Sequence, residues 1–256
     1  MRPLNIKMKI IPKKSLGQNF LINQGVLEKI VSAAELNPND TVLEIGPGTG
    51  NLTKLLSEKA GRVIAIEKDH RLIEELREKF KNTNVEIVEG DVLKLTRLNL
   101  VIQGLTLYKI AGNIPYYITS HLLKTILEKW PKPKLIVLTI QKEVAKRIIA
   151  KPPDMNLLAL SVQLYSEPKI MSYISRGSFR PMPKVDSAII KLTPKNETDI
   201  RENERVLSIA KKSFAGKRKQ IQNTLPEINF ESLEINPKSR PEELSLENWL
   251  KIASSL

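Results

Sequence analysis

The chain has 256 residues, 41 lysines and arginines against 28 acids, a formal net charge of +13 and an isoelectric point near 9.7, a balance that points to a polyanionic partner. It contains no cysteine, and its two histidines, His70 and His121, fit no ligand spacing, so disulfides and thiolate metal sites are excluded and no metal is expected. The length suits one moderate domain plus an appendage, the longest apolar runs, such as Leu135-Ile136-Val137-Leu138, are far shorter than a bilayer span, and the basic N-terminus has no apolar h-region, so no membrane contact and a cytoplasmic location are expected.

Residues 1–14 carry Arg2, Lys7, Lys9, Lys13 and Lys14 and no acid, which reads either as a basic arm for nucleic acid or as a solvated tail. The segment Ser15-Leu16-Gly17-Gln18-Asn19-Phe20-Leu21 follows, then an amphipathic helix from about Gln24 to Leu36 with Asn23 as its cap. Next comes the centre of the chain, Thr41-Val42-Leu43-Glu44-Ile45-Gly46-Pro47-Gly48-Thr49-Gly50, a buried-strand pattern running into a turn with glycine at alternate positions. Asn51 to Leu56 is helical, so a strand, a glycine turn and a helix form the nucleotide-binding corner of a doubly wound fold. The spacing disfavours a dinucleotide. Asn51 stands where the third glycine of that fingerprint belongs, and a carboxylate at Glu44 would repel a pyrophosphate while suiting a cationic or amino-bearing ligand, which favours S-adenosylmethionine over NAD.

A second strand, Val63 to Ile66, ends on Glu67, about twenty residues beyond the glycine loop, where a carboxylate can accept ribose hydroxyls. Asp69 is placed to cap a helix reaching Phe80. The strand Val85 to Val88 leads to Gly90-Asp91-Val92, and Asp91 at a strand end could accept an adenine amino group. Leu98 to Leu107 shows no clear periodicity. Strand Tyr108 to Ala111 then enters Gly112-Asn113-Ile114-Pro115-Tyr116-Tyr117. Isoleucine before proline is held extended, so the Asn113 amide oxygen and the Ile114 carbonyl can accept both N–H groups of an exocyclic amine while Tyr116 stacks on its ring.

Helix Ser120 to Trp130, strand Leu135 to Ile140 and helix Glu143 to Ile149 continue the alternation. After a loop at Lys151 to Asn156, the pattern reads as three successive strands, Ala159 to Tyr165, Lys169 to Ile174 and Ser187 to Leu192, finishing a mixed sheet with an antiparallel pair. Between the last two, Phe179 beside the stiff Arg180-Pro181-Met182-Pro183 segment is either a core plug or a platform for a base. A polar linker at 193–198 precedes helices at Glu204 to Phe214, Arg218 to Leu225 and Ser245 to Ala253. Lys211, Lys212, Lys217, Arg218 and Lys219 fall within nine residues and read as a phosphate-binding surface.

Taken together, the chain resembles the KsgA/Dim-type rRNA adenine dimethyltransferases. The resemblance rests on Leu16-Gly17-Gln18-Asn19-Phe20-Leu21, Glu44-Ile45-Gly46-Pro47-Gly48-Thr49-Gly50, Glu67, Gly90-Asp91, Asn113-Ile114-Pro115-Tyr116, Gln141-Lys142-Glu143-Val144-Ala145, Phe179-Arg180-Pro181, Pro183-Lys184-Val185-Asp186-Ser187 and Arg240-Pro241-Glu242-Glu243-Leu244-Ser245. It implies an α/β, Rossmann-like class I methyltransferase over residues 1–194, with a mostly parallel sheet ending in an antiparallel strand pair, and a small all-α RNA-binding domain over 195–256. S-adenosyl-L-methionine is the implied cofactor, held by Gln18, Asn19, Leu21, Glu44, Gly46, Gly48, Glu67, Lys68, Asp91, Val92 and Asn113. Asn113, Ile114, Pro115, Tyr116 and Phe179 are the implied adenine-handling residues, and Lys13, Lys14, Lys211, Lys217, Arg218 and Lys219 the implied RNA contacts. The implied partner is 16S rRNA in the assembling small subunit, with two adjacent adenines dimethylated at N6 by a monomeric enzyme. Three departures stand out: Tyr117 is bulky, the basic motif reads Gly216-Lys217-Arg218-Lys219-Gln220, and the loop at Pro152 and Pro153 lacks a glycine. The alternatives are an Erm-type methyltransferase of large-subunit rRNA, a non-catalytic rRNA-binding assembly factor and an NAD-dependent oxidoreductase.

Overall fold

A computed structural model describes residues 11–102, 104–196, 199–216 and 218–256. In chain order the elements are β1 (Phe20–Leu21), α1 (Gln24–Ala33), β2 (Thr41–Ile45), α2 (Asn51–Ser57), β3 (Arg62–Glu67), α3 (His70–Lys79), β4 (Val85–Glu89), α4 (Arg97–Ile102), β5 (Tyr108–Asn113), α5 (Thr119–Glu128), β6 (Leu135–Gln141), α6 (Lys142–Ile148), α7 (Leu157–Gln163), β7 (Ser166–Ile174), β8 (Phe179–Arg180), β9 (Ser187–Pro194), α8 (Ile200–Ala215), α9 (Ile221–Thr224) and α10 (Leu246–Ser254).

Seven strands form one sheet in the order β4-β3-β2-β5-β6-β9-β7. From β4 to β6 every pair is parallel, and β9 then pairs antiparallel with both β6 and β7, as the sequence pattern suggested. The parallel strands are apolar on both faces: Val42 and Val63 join a buried cluster with α1 and α2, while Leu43 and Ile64 join a second with α5 and α6. That alternation makes a helix–sheet–helix sandwich, in which each fully buried aliphatic side chain stabilises by roughly 1.5–3 kcal/mol. Near the start of β5, buried Lys109 pairs with Asp40 at 2.9 Å.

The chain builds outward from β2 through β3 to β4, then returns to lay β5 on the other side of β2. Ligands bind outside the strand C-termini at such a reversal. Gly112 makes it close: a Cβ there would stand 2.7 Å from the Ile45 carbonyl oxygen, so only glycine lets β5 approach β2 at this point.

The expected strand from Ala159 to Tyr165 is instead α7. Asn156 accepts the Ala159 N–H at 3.1 Å and caps a helix whose Ala159, Leu160 and Val162 are buried. The alternating polar residues that imitated a strand bond to backbone: Ser161 to the Leu158 carbonyl, and Gln163 to the carbonyls of Ile148 and Ala150. Other differences are of extent. The helix expected over Arg218 to Leu225 shrinks to Ile221–Thr224, the unplaced 98–107 stretch opens as α4, and α8 begins at Ile200 because Asp199 caps the N–H groups of Arg201 and Glu202. Helices α8, α9 and α10 share a third buried cluster around Val206, Ile221 and Trp249, which takes Leu160, Leu164 and Tyr165 from the sheet-bearing part. Among the described residues no helix is long and apolar enough to cross a membrane, and no group of three or more potential ligands could hold a metal.

Candidate active site

The C-terminal ends of β2, β3, β4 and β5 surround a cleft of about 120 Å³. Of the residues singled out from sequence, it brings together Gln18, Asn19, Gly46, Gly48, Glu67, Lys68, Asp91, Val92, Asn113, Ile114, Pro115 and Tyr116. Gly46, Gly48 and Gly50 all have positive φ, at 70°, 58° and 74°, the left-handed backbone that glycine tolerates. A Cβ on Gly48 would collide with the Phe20 ring at 2.8 Å, whereas one on Gly46 or Gly90 would meet nothing nearer than 4.0 and 3.9 Å. Those two absent side chains leave room in the cleft itself, a cradle that protein packing does not use.

Glu67 lies at the end of β3, and its carboxylate is held from three sides. Oε2 accepts the Gly48 N–H at 3.0 Å, and Oε1 accepts those of Lys68 and Asp69 at 2.9 and 2.8 Å. Burial raises its pKa, and the three amides oppose that rise. The glycine loop is thus tied to β3 through an acid that retains lone-pair capacity on Oε2 for a ligand hydroxyl. Asp91 is less available than the sequence implied: Oδ2 pairs with Lys68 Nζ at 2.8 Å and Oδ1 accepts the Leu93 N–H at 3.0 Å. Burial pushes the Asp91 pKa up, but Lys68 and Leu93 outweigh it and the net shift is downward. A ligand amino group reaching this carboxylate competes with Lys68.

The N-terminal segment forms the cleft's outer wall. Strand β1 pairs antiparallel with β8, bringing Leu21 opposite Phe179. The Gln18 amide is spanned on both sides: its Oε1 accepts the Lys13 N–H at 2.7 Å and its Nε2 donates to Asp69 Oδ2 at 2.8 Å. Arg71 completes the clasp, bonding Asp69 at 2.6 and 2.9 Å and the Ile11 carbonyl at 3.2 Å, and it holds the Asp69 carboxyl well below the usual carboxylate range. The bulky Tyr117 fits because its ring lies against Gly17, where a Cβ would come within 3.1 Å.

At the end of β5, Asn113 Nδ2 donates to the Asn19 carbonyl at 2.8 Å, which commits the amide nitrogen and leaves Oδ1 as an acceptor. The Ile114 N–H donates to the Thr139 carbonyl at 3.2 Å, fixing the backbone just before Pro115. The Tyr116 hydroxyl meets buried Ser187 Oγ at 2.7 Å, and burial raises its pKa. The cleft therefore presents fixed acceptors and an oriented aromatic ring, with neither a histidine nor a metal cluster among its described residues.

Three expectations change. Phe179 is fully buried in the cluster shared with Leu21, Ile174 and Ile189, so it is a core plug under the β1–β8 pair rather than an open platform for a base. Glu44 is 1% exposed, and burial pushes its carboxyl up to about 8 against a smaller downward pull from Thr53. It is therefore largely uncharged at neutral pH and does not supply the anion expected from its position. With Leu21 it borders a small side cavity behind Gly46 and Gly48, not the main cleft. Sequence reasoning missed Ile45, Ile66, Leu93 and Ile118 as apolar lining; strand alternation offers a signal only for Ile66, beside Glu67. Of the expected RNA contacts, Lys14, Lys211, Arg218 and Lys219 are exposed and Lys13 half-buried, while Lys217 and residues 1–10 lie outside the described residues.

A family model described as ribosomal RNA adenine dimethylase matches residues 11–256. A protein of Dehalococcoides mccartyi (strain CBDB1) named ribosomal RNA small subunit methyltransferase A is 43% identical over 253 residues, covering 94% of this chain and 87% of its own. A protein of the same name from Clostridium botulinum (strain ATCC 19397 / Type A) is 39% identical over 257 residues, covering 95% and 93%. Among solved structures, the 23S rRNA methyltransferase ErmE is similar with a TM-score of 0.78 at 29% identity, covering 93% of this chain and 99% of its own. A dimethyladenosine transferase from Plasmodium falciparum gives 0.77 at 31%, covering 90% and 94%.

Proposed function

The chain belongs to the ribosomal RNA adenine dimethylase family, and from that premise we propose that it transfers methyl groups from S-adenosylmethionine to N6 of two adjacent adenines in the 3′-terminal hairpin of 16S rRNA, giving N6,N6-dimethyladenosines as the small subunit is assembled. The observation that carries the reading is the Asn113 amide, pinned by the Asn19 carbonyl at the rim of a glycine-lined cleft, with Ile114, Pro115 and Tyr116 beside it.

The cofactor fits the residues present. Gly46 and Gly90 leave space that a side chain would fill, Glu67 Oε2 can accept a ribose hydroxyl, and Ile66, Val92 and Leu93 give an apolar bed for a purine. Lys68 and Asp91 flank that bed, with Gln18 and Asn19 closing it from the N-terminal wall. The bound cofactor supplies an electrophilic methyl group on a sulfonium. Asn113 Oδ1 and the Ile114 carbonyl accept the two N–H groups of the target amine, and this acceptance strengthens as the nitrogen becomes tetrahedral and positive. Tyr116, oriented through Ser187, holds the extruded base in line. No general base is required of the protein: the proton leaves a nitrogen that has become strongly acidic on alkylation. Residues 1–194 serve as the catalytic part in this reading. Residues 195–256, with Lys211, Lys217, Arg218 and Lys219, grip the RNA together with Lys13 and Lys14.

The structural likeness to ErmE supports a second reading, methylation of a large-subunit adenine. The small-subunit name and higher identity of the D. mccartyi and C. botulinum relatives favour the first. Incubating the protein with S-adenosylmethionine carrying a labelled methyl group, and either undermethylated small subunits or large-subunit rRNA, separates them. Label in dimethyladenosine of the small subunit is expected; label only in large-subunit rRNA, or none, overturns the proposal.

A further inference from the structure

On the Tyr116 side of the site lies a second cleft, of about 600 Å³, within the range of about 300–1,000 Å³ typical of ligand pockets. Its charged walls come from Lys142 and Lys146 on one rim and Arg176 and Lys184 on the other, with Glu143 and Asp186 the only acids among its described lining residues. The two clefts adjoin. Ser187, whose hydroxyl holds that of Tyr116, directly follows Asp186 and pairs across the sheet with Gln141, which opens the second cleft.

The cations here are unspent. Among the described residues none of the four forms an ion pair, and only Lys142 has a side-chain partner, the Tyr173 ring at 5.1 Å. Asp186 braces the cleft instead of neutralising it: its carbonyl accepts the Lys142 N–H at 3.0 Å and its Oδ1 accepts the Arg176 backbone N–H at 3.1 Å, linking the two rims. Apolar surface is also present, with Val185 at 45% exposure in the wall and Met182 at 56% on the proline-stiffened loop beside it. Unpaired cations around a braced hollow, with apolar contact area and an opening at the target pocket, suit a nucleotide: phosphate for the cations, a base or ribose face for the aliphatic side chains.

We propose that this cleft binds the RNA nucleotide adjoining the target adenine, with Lys146, Arg176 and Lys184 gripping its phosphates while the target base occupies the Asn113–Tyr116 pocket. The proposal rests on the reading of the main cleft as an RNA adenine methylation site. Extruding a base from a hairpin has an unstacking cost, and a neighbouring phosphate held in place offsets it. The substrate then engages the site as at least two consecutive nucleotides. With adjacent target adenines, the cleft bears directly on how the second is handled after the first.

The test is a cycle between protein and RNA, using a synthetic hairpin of the 16S 3′ end with its two adenines, and the same hairpin with an uncharged methylphosphonate at the phosphate flanking the target. Lys146→Ala/Arg176→Ala/Lys184→Ala protein should show a KM for the hairpin at least tenfold higher, an unchanged affinity for S-adenosylhomocysteine, and a log–log salt slope shallower by about 0.7 per lost phosphate contact. The methylphosphonate should weaken the wild type but cost the triple variant little more. Lys184→Glu alone, a surface change, should exceed the effect of Lys184→Ala. An unaltered salt slope, or a methylphosphonate penalty as large in the variant as in the wild type, overturns the proposal. Failure of the underlying reading looks different: the wild type itself would methylate neither the hairpin nor undermethylated small subunits.

Discussion

The side-chain amide of Asn113 donates to the backbone carbonyl of Asn19 at 2.8 Å, joining positions 94 residues apart. One bond fixes which end of the amide faces the cleft and fastens the N-terminal wall to the end of β5. Asn113→Asp removes the donor and sets a carboxylate against a carbonyl. Hydrogen exchange over residues 14–21 should accelerate and cofactor affinity should fall; unchanged exchange there would show that the wall is held without this bond.

Glu67→Gln should weaken S-adenosylhomocysteine binding. The carboxylate already accepts three backbone N–H bonds, so its capacity for ribose is essentially one strong bond rather than two. Losing a hydrogen bond to a charged acceptor costs roughly 1.5–3 kcal/mol, or roughly ten- to a hundredfold in Kd. Calorimetry giving the wild-type Kd would remove Glu67 from the cofactor site.

Glu44 makes stability depend on pH in an unusual direction. Its folded pKa of about 8 exceeds the ordinary 4.5, so between those values the folded protein keeps a proton the unfolded chain has released. Stability from this group is therefore greatest below about pH 4.5, declines as pH rises toward 8, and levels off above. Glu44→Gln stays neutral throughout and should be more stable than the wild type at pH 9 by something on the order of a few kcal/mol, with the difference vanishing near pH 4.5. Urea unfolding at several pH values checks this; parallel curves for the two proteins would contradict a buried, raised Glu44.

Replacing Lys217, Arg218 and Lys219 with alanine should lower rRNA affinity and flatten its salt dependence by up to about 0.9 log–log units per lost phosphate contact, with cofactor affinity unchanged. Arg218 and Lys219 are exposed and carry no ion pair among the described residues, so their removal leaves no buried partner behind. A full salt slope in the variant would make the cluster an ordinary solvated face.

What could be read in advance follows the range of the interactions concerned. The glycine loop, Glu67 at the end of β3, Asp69 as a cap and Asn113-Ile114-Pro115-Tyr116 are set by local spacing and strand ends, and their places in the structure follow from it. The Gln18–Asp69–Arg71 clasp and the Lys68–Asp91 pair depend on tertiary placement and have no signature in spacing. Phe179 is ambiguous in sequence because an aromatic beside a stiff loop packs or stacks equally well in one dimension; the β1–β8 pairing buries it. Helix α7 imitates a strand in sequence because Ser161 and Gln163 alternate with apolar neighbours, while the cap at Asn156 outweighs that pattern.

The chemical step is the centre of the account, and it rests on acceptors rather than on a base. Single-turnover methylation of the 16S 3′ hairpin by Asn113→Ala, at saturating S-adenosylmethionine and saturating RNA, tests it most directly. The account predicts a rate at least about a hundredfold below wild type, the effect expected from removing one preorganised partner of a developing charge, with RNA binding retained. Dimethylation at near wild-type rate would show that the Asn113–Tyr116 segment is a structural turn and that the methyl-accepting amine is activated by other groups.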